Sequence, residues 1–352
     1  MSSGVPESLI ALARQYDHFN MATVIARLPD HIRLALEDTL PALRQRRFSQ
    51  VVVCGLGGSA LPCEVLMDAF AGALTAPMRV WRTYGLPPGI DADTLLIFSS
   101  FSGNTEETLS GIETLPADAR NVVVVTAGGR LAQLARERGY PLIVIPTKDE
   151  PEGFQPRSAF GFIVTYLARV LHAGGLMTDP APTLQGLPAF LRGLDVRPEA
   201  AELASWLGER IPVVYTDDIH LMSVARIAKI KFNENAKRPS FFNAFPELNH
   251  NEMIGFTVPL GAFAALYLHD PASVGRIRER FDVMRDVFAR DRIDNVAFRS
   301  WEMPGATRAE RVFAALAFAD WCSYYLALLG GFDPTPVPLV ESFKQELAKS
   351  AS

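Results

Sequence analysis

The chain has 352 residues, of which 49% are hydrophobic, enough for two domain cores. Its 34 basic and 39 acidic residues give a formal net charge of -5 and are mixed along the chain, without the basic stripe of a nucleic-acid-binding protein. Its three cysteines fit neither a disulfide framework nor a zinc pattern. We recognise no export signal and no apolar run long enough to span a bilayer. We therefore expect a cytoplasmic protein with no nucleic-acid or membrane partner.

The order of apolar patterns predicts an α/β protein. Residues 1–48 have apolar positions at helical spacing, which predicts a helical lead-in that breaks near Pro29. From residue 50, short apolar runs alternate with helical stretches, as buried parallel strands do in an open, doubly wound sheet. The runs are QVVVCG, MRVWR, TLLIFSS, NVVVVTA and PLIVIP. Ligands bind such a sheet outside the carboxyl ends of its strands.

A second alternation of strands and helices follows a region rich in glycine and proline. We predict a first sheet domain over residues 49–175, a linker with at most a short helix over 176–208, and a second sheet domain with a C-terminal helix over 209–352. The fold class is therefore α/β, with two doubly wound parallel-sheet domains and helices on both faces. The halves share the order of their elements but no close sequence repeat.

A glycine loop follows the first strand and includes Gly57, Gly58 and Ser59. Glycines there let the backbone approach a ligand at a helix N-terminus. The loop also satisfies the loose dinucleotide pattern G-x-G-x-x-[GA]. A nicotinamide site would need an acid at the end of the second strand, and none is present, although Arg82 leaves a 2′-phosphate interpretation open. A tight turn that binds no ligand is the simpler alternative.

A hydroxyl-rich loop follows the third strand and opens the next helix. Ser99, Ser100, Ser102 and Thr105 lie together there, with Asn104 or Ser102 as the expected N-cap. Hydroxyl and N–H donors at the positive end of a helix dipole suit a phosphate monoester without a lysine. A serine-rich turn with capping alone is the alternative.

These two loops together resemble a known family. GLGGSA followed by FSSFSGNTEET resembles the sugar isomerase (SIS) domain, whose serine-rich loop binds sugar phosphates. The block KFNENAKRPSFFNAFPELNHNEMIGF, with QPRSAF before it and a lysine near the C-terminus, resembles the bifunctional phosphoglucose/phosphomannose isomerase family. The resemblance covers nearly the whole chain as two SIS domains. It implies an aldose-ketose isomerase that acts on hexose 6-phosphates through a cis-enediol, without a metal or nucleotide cofactor.

The resemblance also implies roles for four ionisable residues. Glu234 is the base that moves a proton between C2 and C1, and Arg157 stabilises negative charge on the enediolate. His250 assists ring opening in the active site of the partner subunit, which implies a homodimer. Lys344 is the C-terminal lysine that helps ring opening. Taken by itself, each of these residues could equally be an ordinary surface or capping group.

The remaining predictions concern the substrate. The phosphate-binding residues are expected to be Gly57, Gly58, Ser59, Ser100, Ser102 and Thr105. Thr335 is the nearest match to the threonine that the family associates with activity on mannose 6-phosphate, whereas Ala60 departs from the family's usual glycine. A metal at His250 with its acidic neighbours ranks low, since no second histidine lies at ligand spacing. Two other functions stay open, a non-catalytic SIS-type sugar-phosphate sensor and an NADP-binding oxidoreductase.

Overall fold

The structure is a computed structural model that describes residues 4–43, 47–116 and 119–350. It begins with three helices, which confirm the predicted helical lead-in: α1 (Glu7–Tyr16), α2 (Met21–Ala26) and α3 (Leu28–Glu37). Pro29 lies in the first turn of α3, where its missing N–H costs no helical hydrogen bond. The helix therefore starts near Pro29, as expected, and does not bend there.

The first sheet has five parallel strands in the order β2-β1-β3-β4-β5. The strands are β1 (Gln50–Cys54), β2 (Met78–Trp81), β3 (Thr94–Ser99), β4 (Val122–Thr126) and β5 (Leu142–Val144). The helices of this half are α4 (Leu61–Ala69), α5 (Glu106–Glu113), α6 (Gly129–Arg138) and α7 (Phe160–Ala173). Because side chains alternate along a strand, Val51 and Val53 enter one core while Val52 and Cys54 enter the other. The sheet is thus covered on both faces.

Two helices, α8 (Ala181–Gly193) and α9 (Arg197–Leu207), connect the halves. Leu184 and Leu187 of α8 and Leu203 and Leu207 of α9 are fully buried in the main core. The prediction of a linker with at most a short helix over 176–208 is therefore wrong in its structure. The prolines and glycines of this segment obscured a buried leucine stripe of helical period. The boundaries of the two domains remain a prediction.

The second sheet has four parallel strands in the order β7-β6-β8-β9. The strands are β6 (Ile211–Thr216), β7 (Phe241–Ala244), β8 (Phe263–His269) and β9 (Val296–Glu302). The helices are α10 (Met222–Glu234), α11 (Leu248–Asn251), α12 (Gly275–Arg290), α13 (Arg308–Leu329) and α14 (Pro338–Ser350). When its strands are numbered from β6, the order of this sheet is second-first-third-fourth, which is also the order of β1 to β4 in the first sheet. The α/β class with two doubly wound parallel sheets is confirmed.

Helix α13 is the central element between the two halves. It starts with a capping box in which the Thr307 hydroxyl accepts the Glu310 N–H and the Glu310 carboxylate accepts the Thr307 N–H. By length and composition it could cross a membrane, which the sequence analysis did not expect, but 78% of its apolar window is buried inside the protein. It packs against α9, α10 and α4. Its apolar character is therefore accounted for by the core.

Candidate active site

The glycine loop and the hydroxyl loop lie side by side at the carboxyl ends of β1 and β3, which are neighbouring strands. The Ser99 hydroxyl donates to the Ser59 carbonyl oxygen at 3.0 Å. In return, the Ser59 hydroxyl accepts the Phe101 N–H at 2.8 Å. These bonds cross the gap between the strands. The two predicted loops thus form one surface at the topological switch point, where ligands bind in such sheets.

The glycines of the first loop serve two different purposes. Gly57 has a φ of +50°, which favours glycine, and a Cβ added there would meet no atom of the described residues within 4 Å. A Cβ on Gly58 would lie 2.7 Å from the Pro156 carbonyl carbon and 2.8 Å from the Arg157 nitrogen. Gly58 therefore allows the segment that carries Arg157 to pack directly against the loop. Space for a ligand is present at Gly57 and is taken by backbone at Gly58.

Some side chains of the hydroxyl loop are buried and others are exposed. The buried Ser100 hydroxyl and the Thr105 hydroxyl are 2.7 Å apart. Ser102 is exposed, and its hydroxyl accepts the Asn104 N–H at 3.2 Å. The residue at the N-cap of α5 is Thr105, and within the described part of the chain no side chain caps this helix. The prediction of Asn104 or Ser102 as the cap is therefore wrong, because the loop closes on itself and the helix starts later.

Arg157 and Glu234 meet at this edge of the molecule, with Nη1 and Oε2 3.3 Å apart. Arg157 lies in a 3₁₀ turn just before α7, and 4% of its side chain is exposed. Its Nε donates to Asn235 Oδ1 at 2.7 Å, and its Nη2 donates to the carbonyl oxygens of Pro334 at 3.0 Å and Thr335 at 2.7 Å. Glu234 ends α10 with 37% of its side chain exposed. A fixed cation therefore stands next to an accessible carboxylate.

The electrostatics of Arg157 favour binding of negative charge. Burial lowers the pKa of Arg157, while the charges of Glu234 and Asp320 act in the opposite direction. An arginine with this shift is still charged at neutral pH, because its ordinary pKa lies above about 12. A buried cation interacts strongly with charge that develops beside it, since little water screens it. An anionic reaction intermediate formed beside the Glu234 carboxylate would therefore be stabilised by the Arg157 guanidinium.

Two charged residues that sequence analysis missed hold this arrangement in place. The buried Lys231 ammonium donates to the Arg157 carbonyl oxygen at 2.7 Å and lies 2.5 Å from an Asp320 carboxylate oxygen. Burial raises the pKa of Asp320, and the charge of Lys231 opposes that rise. The sequence nevertheless contains a signal for each of these two residues. Lys231 lies three and four residues before Glu234 and Asn235, which is the spacing of one helix face, and Asp320 interrupts an apolar stretch of α13.

Thr335 is fully buried beside Arg157. Its N–H donates to Asp333 Oδ1 at 2.8 Å and its carbonyl oxygen accepts from Arg157. Its hydroxyl has no hydrogen-bond partner within residues 4–43, 47–116 and 119–350. Buried hydroxyls normally have a partner, so this hydroxyl beside Arg157, unpaired within those three ranges, is an exception.

His250 and Lys344 are not brought to the site within one chain. His250 is exposed on the short helix α11, and its N–H donates to the Glu247 carbonyl oxygen at 3.0 Å. Lys344 lies on α14 with 63% of its side chain exposed, where its ammonium contacts Glu341 at 2.7 Å. Both residues are on surfaces that a second molecule could reach.

The structure also bears on the nucleotide interpretation at Arg82 and on a metal site. Arg82, which a 2′-phosphate would need, donates to Glu64 at 2.6 Å, and the same carboxylate oxygen accepts from Arg226 at 2.7 Å. Among the residues that the structure describes, no group of three His, Cys, Asp or Glu side chains lies close enough to hold a metal ion. The three cysteines are free and buried.

Comparison with known proteins agrees with this geometry. Residues 197–347 match the family model described as the bacterial phospho-glucose isomerase C-terminal SIS domain. A bifunctional phosphoglucose/phosphomannose isomerase from Caldicellulosiruptor bescii is 32% identical over 92% of this chain and 98% of its own length. A D-glucosamine-6-phosphate 4-epimerase from Sulfolobus acidocaldarius is 31% identical over 66% of this chain and 72% of its own length.

A solved structure shows the same fold. The glucose-6-phosphate isomerase from Chlamydia trachomatis aligns with a TM-score of 0.62 at 16% identity, over 100% of this chain and 76% of that one. The fold, the paired loops and the long match to the Caldicellulosiruptor protein lead to one conclusion. This chain belongs to the bifunctional phosphoglucose/phosphomannose isomerase family.

Proposed function

We propose that this protein is an aldose-ketose isomerase that interconverts glucose 6-phosphate and mannose 6-phosphate with fructose 6-phosphate. The single observation that carries the proposal is the accessible Glu234 carboxylate 3.3 Å from the buried Arg157 guanidinium. This reaction needs a base and a nearby cation, and those are the two groups present. The Caldicellulosiruptor relative, a bifunctional phosphoglucose/phosphomannose isomerase, supports the same activity.

The substrate's phosphate is held by the two loops after β1 and β3. Ser100, Ser102, Thr105 and Ser59 supply hydroxyl groups, Gly57 leaves room for the ligand at the backbone, and Gly58 lets the Arg157 segment pack against the loop. The uncapped start of α5 adds N–H donors. Acidic residues already occupy the first turn of α5, so the hydroxyls rather than the helix dipole must supply most of the attraction.

Glu234 transfers the proton. In the direction of fructose 6-phosphate formation, its carboxylate takes the proton from C2 of the open-chain aldose, and the electrons form the enediolate. The hydroxyl proton moves from O2 to O1, and the resulting carboxylic acid returns the first proton to C1, which leaves a ketone at C2 and a hydroxyl at C1. Negative charge on the enediolate oxygens lies beside Arg157, whose position is fixed before the reaction starts, so little reorganisation is needed. Glucose and mannose 6-phosphates share this intermediate, and in this proposal Thr335, whose carbonyl oxygen accepts from Arg157, is the residue associated with activity on mannose 6-phosphate.

A homodimer completes the site in this proposal, with His250 contributed by the partner subunit and Lys344 as the second group that assists ring opening. Apolar residues close to both are exposed in the single chain. They are Ile254, Val258 and Leu260 after α11, and Leu339, Val340 and Phe343 on α14. Large apolar side chains that are exposed in a single chain are typical of interfaces when they form a patch, and they support a dimer here. A cytoplasmic location and the absence of nucleic-acid or membrane partners remain expectations.

The test is isomerase activity of the purified protein on fructose 6-phosphate, with chelator present and no added nucleotide. Glu234→Gln is expected to lower kcat by at least about 1,000-fold, because the base is removed, while substrate affinity measured by calorimetry changes little. Glu37→Gln, an exposed carboxylate on α3, is the matched control and should leave both unchanged. Binding without turnover by the unaltered protein would indicate the sensor instead. Conversion at C4 would indicate an epimerase.

A further inference from the structure

Lys237 lies at this site and has no part in the mechanism above. Its Nζ donates to the carbonyl oxygen of Asn235 at 3.1 Å and to that of Asp333 at 2.8 Å. The first of these carbonyls follows Glu234 directly. The second belongs to the loop whose next two carbonyls hold Arg157. Lys237 therefore ties the end of the helix that carries the base to the loop that fixes the cation.

The backbone of Lys237 indicates that its side chain is needed there. Its φ is +54°, in the left-handed region, where a residue with a Cβ is strained relative to glycine. Glycine or asparagine would adopt this turn with less strain. A lysine at such a position is best explained by what its ammonium contacts.

Three charged side chains act on the Lys237 ammonium. The pKa of Lys237 is lowered to about 8, mainly by burial and also by the charge of Arg157, while the charges of Asp333 and Glu234 act in the opposite direction. The Asp333 carboxylate also lies 3.1 Å from Nδ1 of His18. At pH 7 the ammonium is therefore protonated, and it loses its charge near pH 8. A neutral amine would bind the two carbonyls more weakly, because charge-assisted hydrogen bonds are about twice as strong.

We propose that Lys237 is a positioning residue for the isomerase, which in its charged form fixes Glu234 and Arg157 relative to each other. The inference rests on the proposed function, since the position of a base matters to catalysis only if the reaction occurs. The phosphate is held by other loops, so removal of Lys237 should affect the rate of proton transfer more than substrate binding. Displacement of a catalytic group by about 1 Å costs about 100-fold in rate.

The experiment compares the unaltered protein with Lys237→Asn and Lys237→Arg on fructose 6-phosphate. Asparagine tolerates the left-handed backbone and removes the ammonium. We expect Lys237→Asn to lower kcat about 10- to 100-fold with KM changed less than about threefold. Lys229→Asn, which removes a lysine from α10, the helix that ends at Glu234, is the control and should leave kcat unchanged. Thermal unfolding confirms that each variant is folded.

The pH profile distinguishes positioning from a merely structural role. The kcat of the unaltered protein should fall as pH rises through about 8, and in Lys237→Arg this fall should move to higher pH, because a guanidinium stays charged. An unchanged alkaline limb in Lys237→Arg would overturn the inference, as would a Lys237→Asn protein with kcat within about twofold of normal. An unaltered protein without isomerase activity would refute the proposed function itself, and the inference with it.

Discussion

The position of Arg157 depends on one buried amide, and Asn235→Ala tests that dependence. Asn235 Oδ1 accepts the Arg157 Nε–H at 2.7 Å, and its Nδ2 donates to the Ser323 hydroxyl at 3.0 Å. Alanine leaves the buried guanidinium N–H unpaired, which costs about 1.5–3 kcal/mol, and removes a neutral hydrogen bond worth about 0.5–1.5 kcal/mol. We expect the free energy of unfolding to fall by about 2–4.5 kcal/mol. With its Nε released, Arg157 should also move away from the reacting atoms and lower kcat about 10- to 100-fold.

Urea unfolding and steady-state kinetics measure the two effects separately. Asn233→Ala is the matched control, because Asn233 is the same residue type on the same helix. Its amide donates to the Arg238 carbonyl oxygen at 2.8 Å in a half-buried position away from Arg157. This control should lose about 0.5–1.5 kcal/mol and keep its kcat. If Asn235→Ala and Asn233→Ala behave alike in both assays, the account of how Arg157 is held is wrong.

Three further outcomes follow. Gly58→Ala should lower the urea midpoint and kcat together, because its Cβ would lie 2.7 Å from the Pro156 backbone; unchanged kinetics would show that this packing is not needed. Burial raises the pKa of Glu150, but hydrogen bonds from His31 and Arg27 outweigh this effect and lower the pKa to about 2. Because the folded protein holds this carboxylate ionised, the free energy of unfolding should fall as pH drops from about 4.5 towards 2. Glu150→Gln should flatten that fall between pH 5 and 3 in urea titrations, and an unchanged slope would contradict it. Lys344→Ala should keep the unfolding free energy within about 0.5 kcal/mol, because its ion pair is exposed, and lower kcat at least about 100-fold; normal kcat would remove Lys344 from the mechanism.

The sheets could be predicted from sequence because the apolar pattern of a buried strand is contained in the strand's own residues. The inner strands β1, β3 and β4 are short apolar runs covered on both faces, as in QVVVC of β1, and such runs have few other structures open to them. The connecting helices α8 and α9 could not be recognised in the same way. Their leucines are buried by contacts with distant elements, and α9 packs against α13. Local glycine and proline signals were therefore stronger in the sequence than the tertiary contacts that determine the structure.

The candidate site was predictable where a motif carries it. Glu234, Arg157 and the two loops were singled out from their motifs, and the fold places them at one edge of the molecule. Lys231 and Lys237 lie in the same motif as Glu234 but bind backbone carbonyls of other segments, which no local pattern encodes. The surroundings of His250 could not be predicted either, because its proposed partner surface belongs to another molecule.

The central claim is that one carboxylate, that of Glu234, carries hydrogen between two adjacent carbons of a hexose 6-phosphate. Incubation with fructose 6-phosphate in deuterated water, followed by product analysis, tests it directly. We predict deuterium at C2 of glucose 6-phosphate and mannose 6-phosphate with the unaltered protein, and no measurable exchange with Glu234→Gln. Products that form without deuterium at C2, or exchange that persists in the variant, would contradict the account.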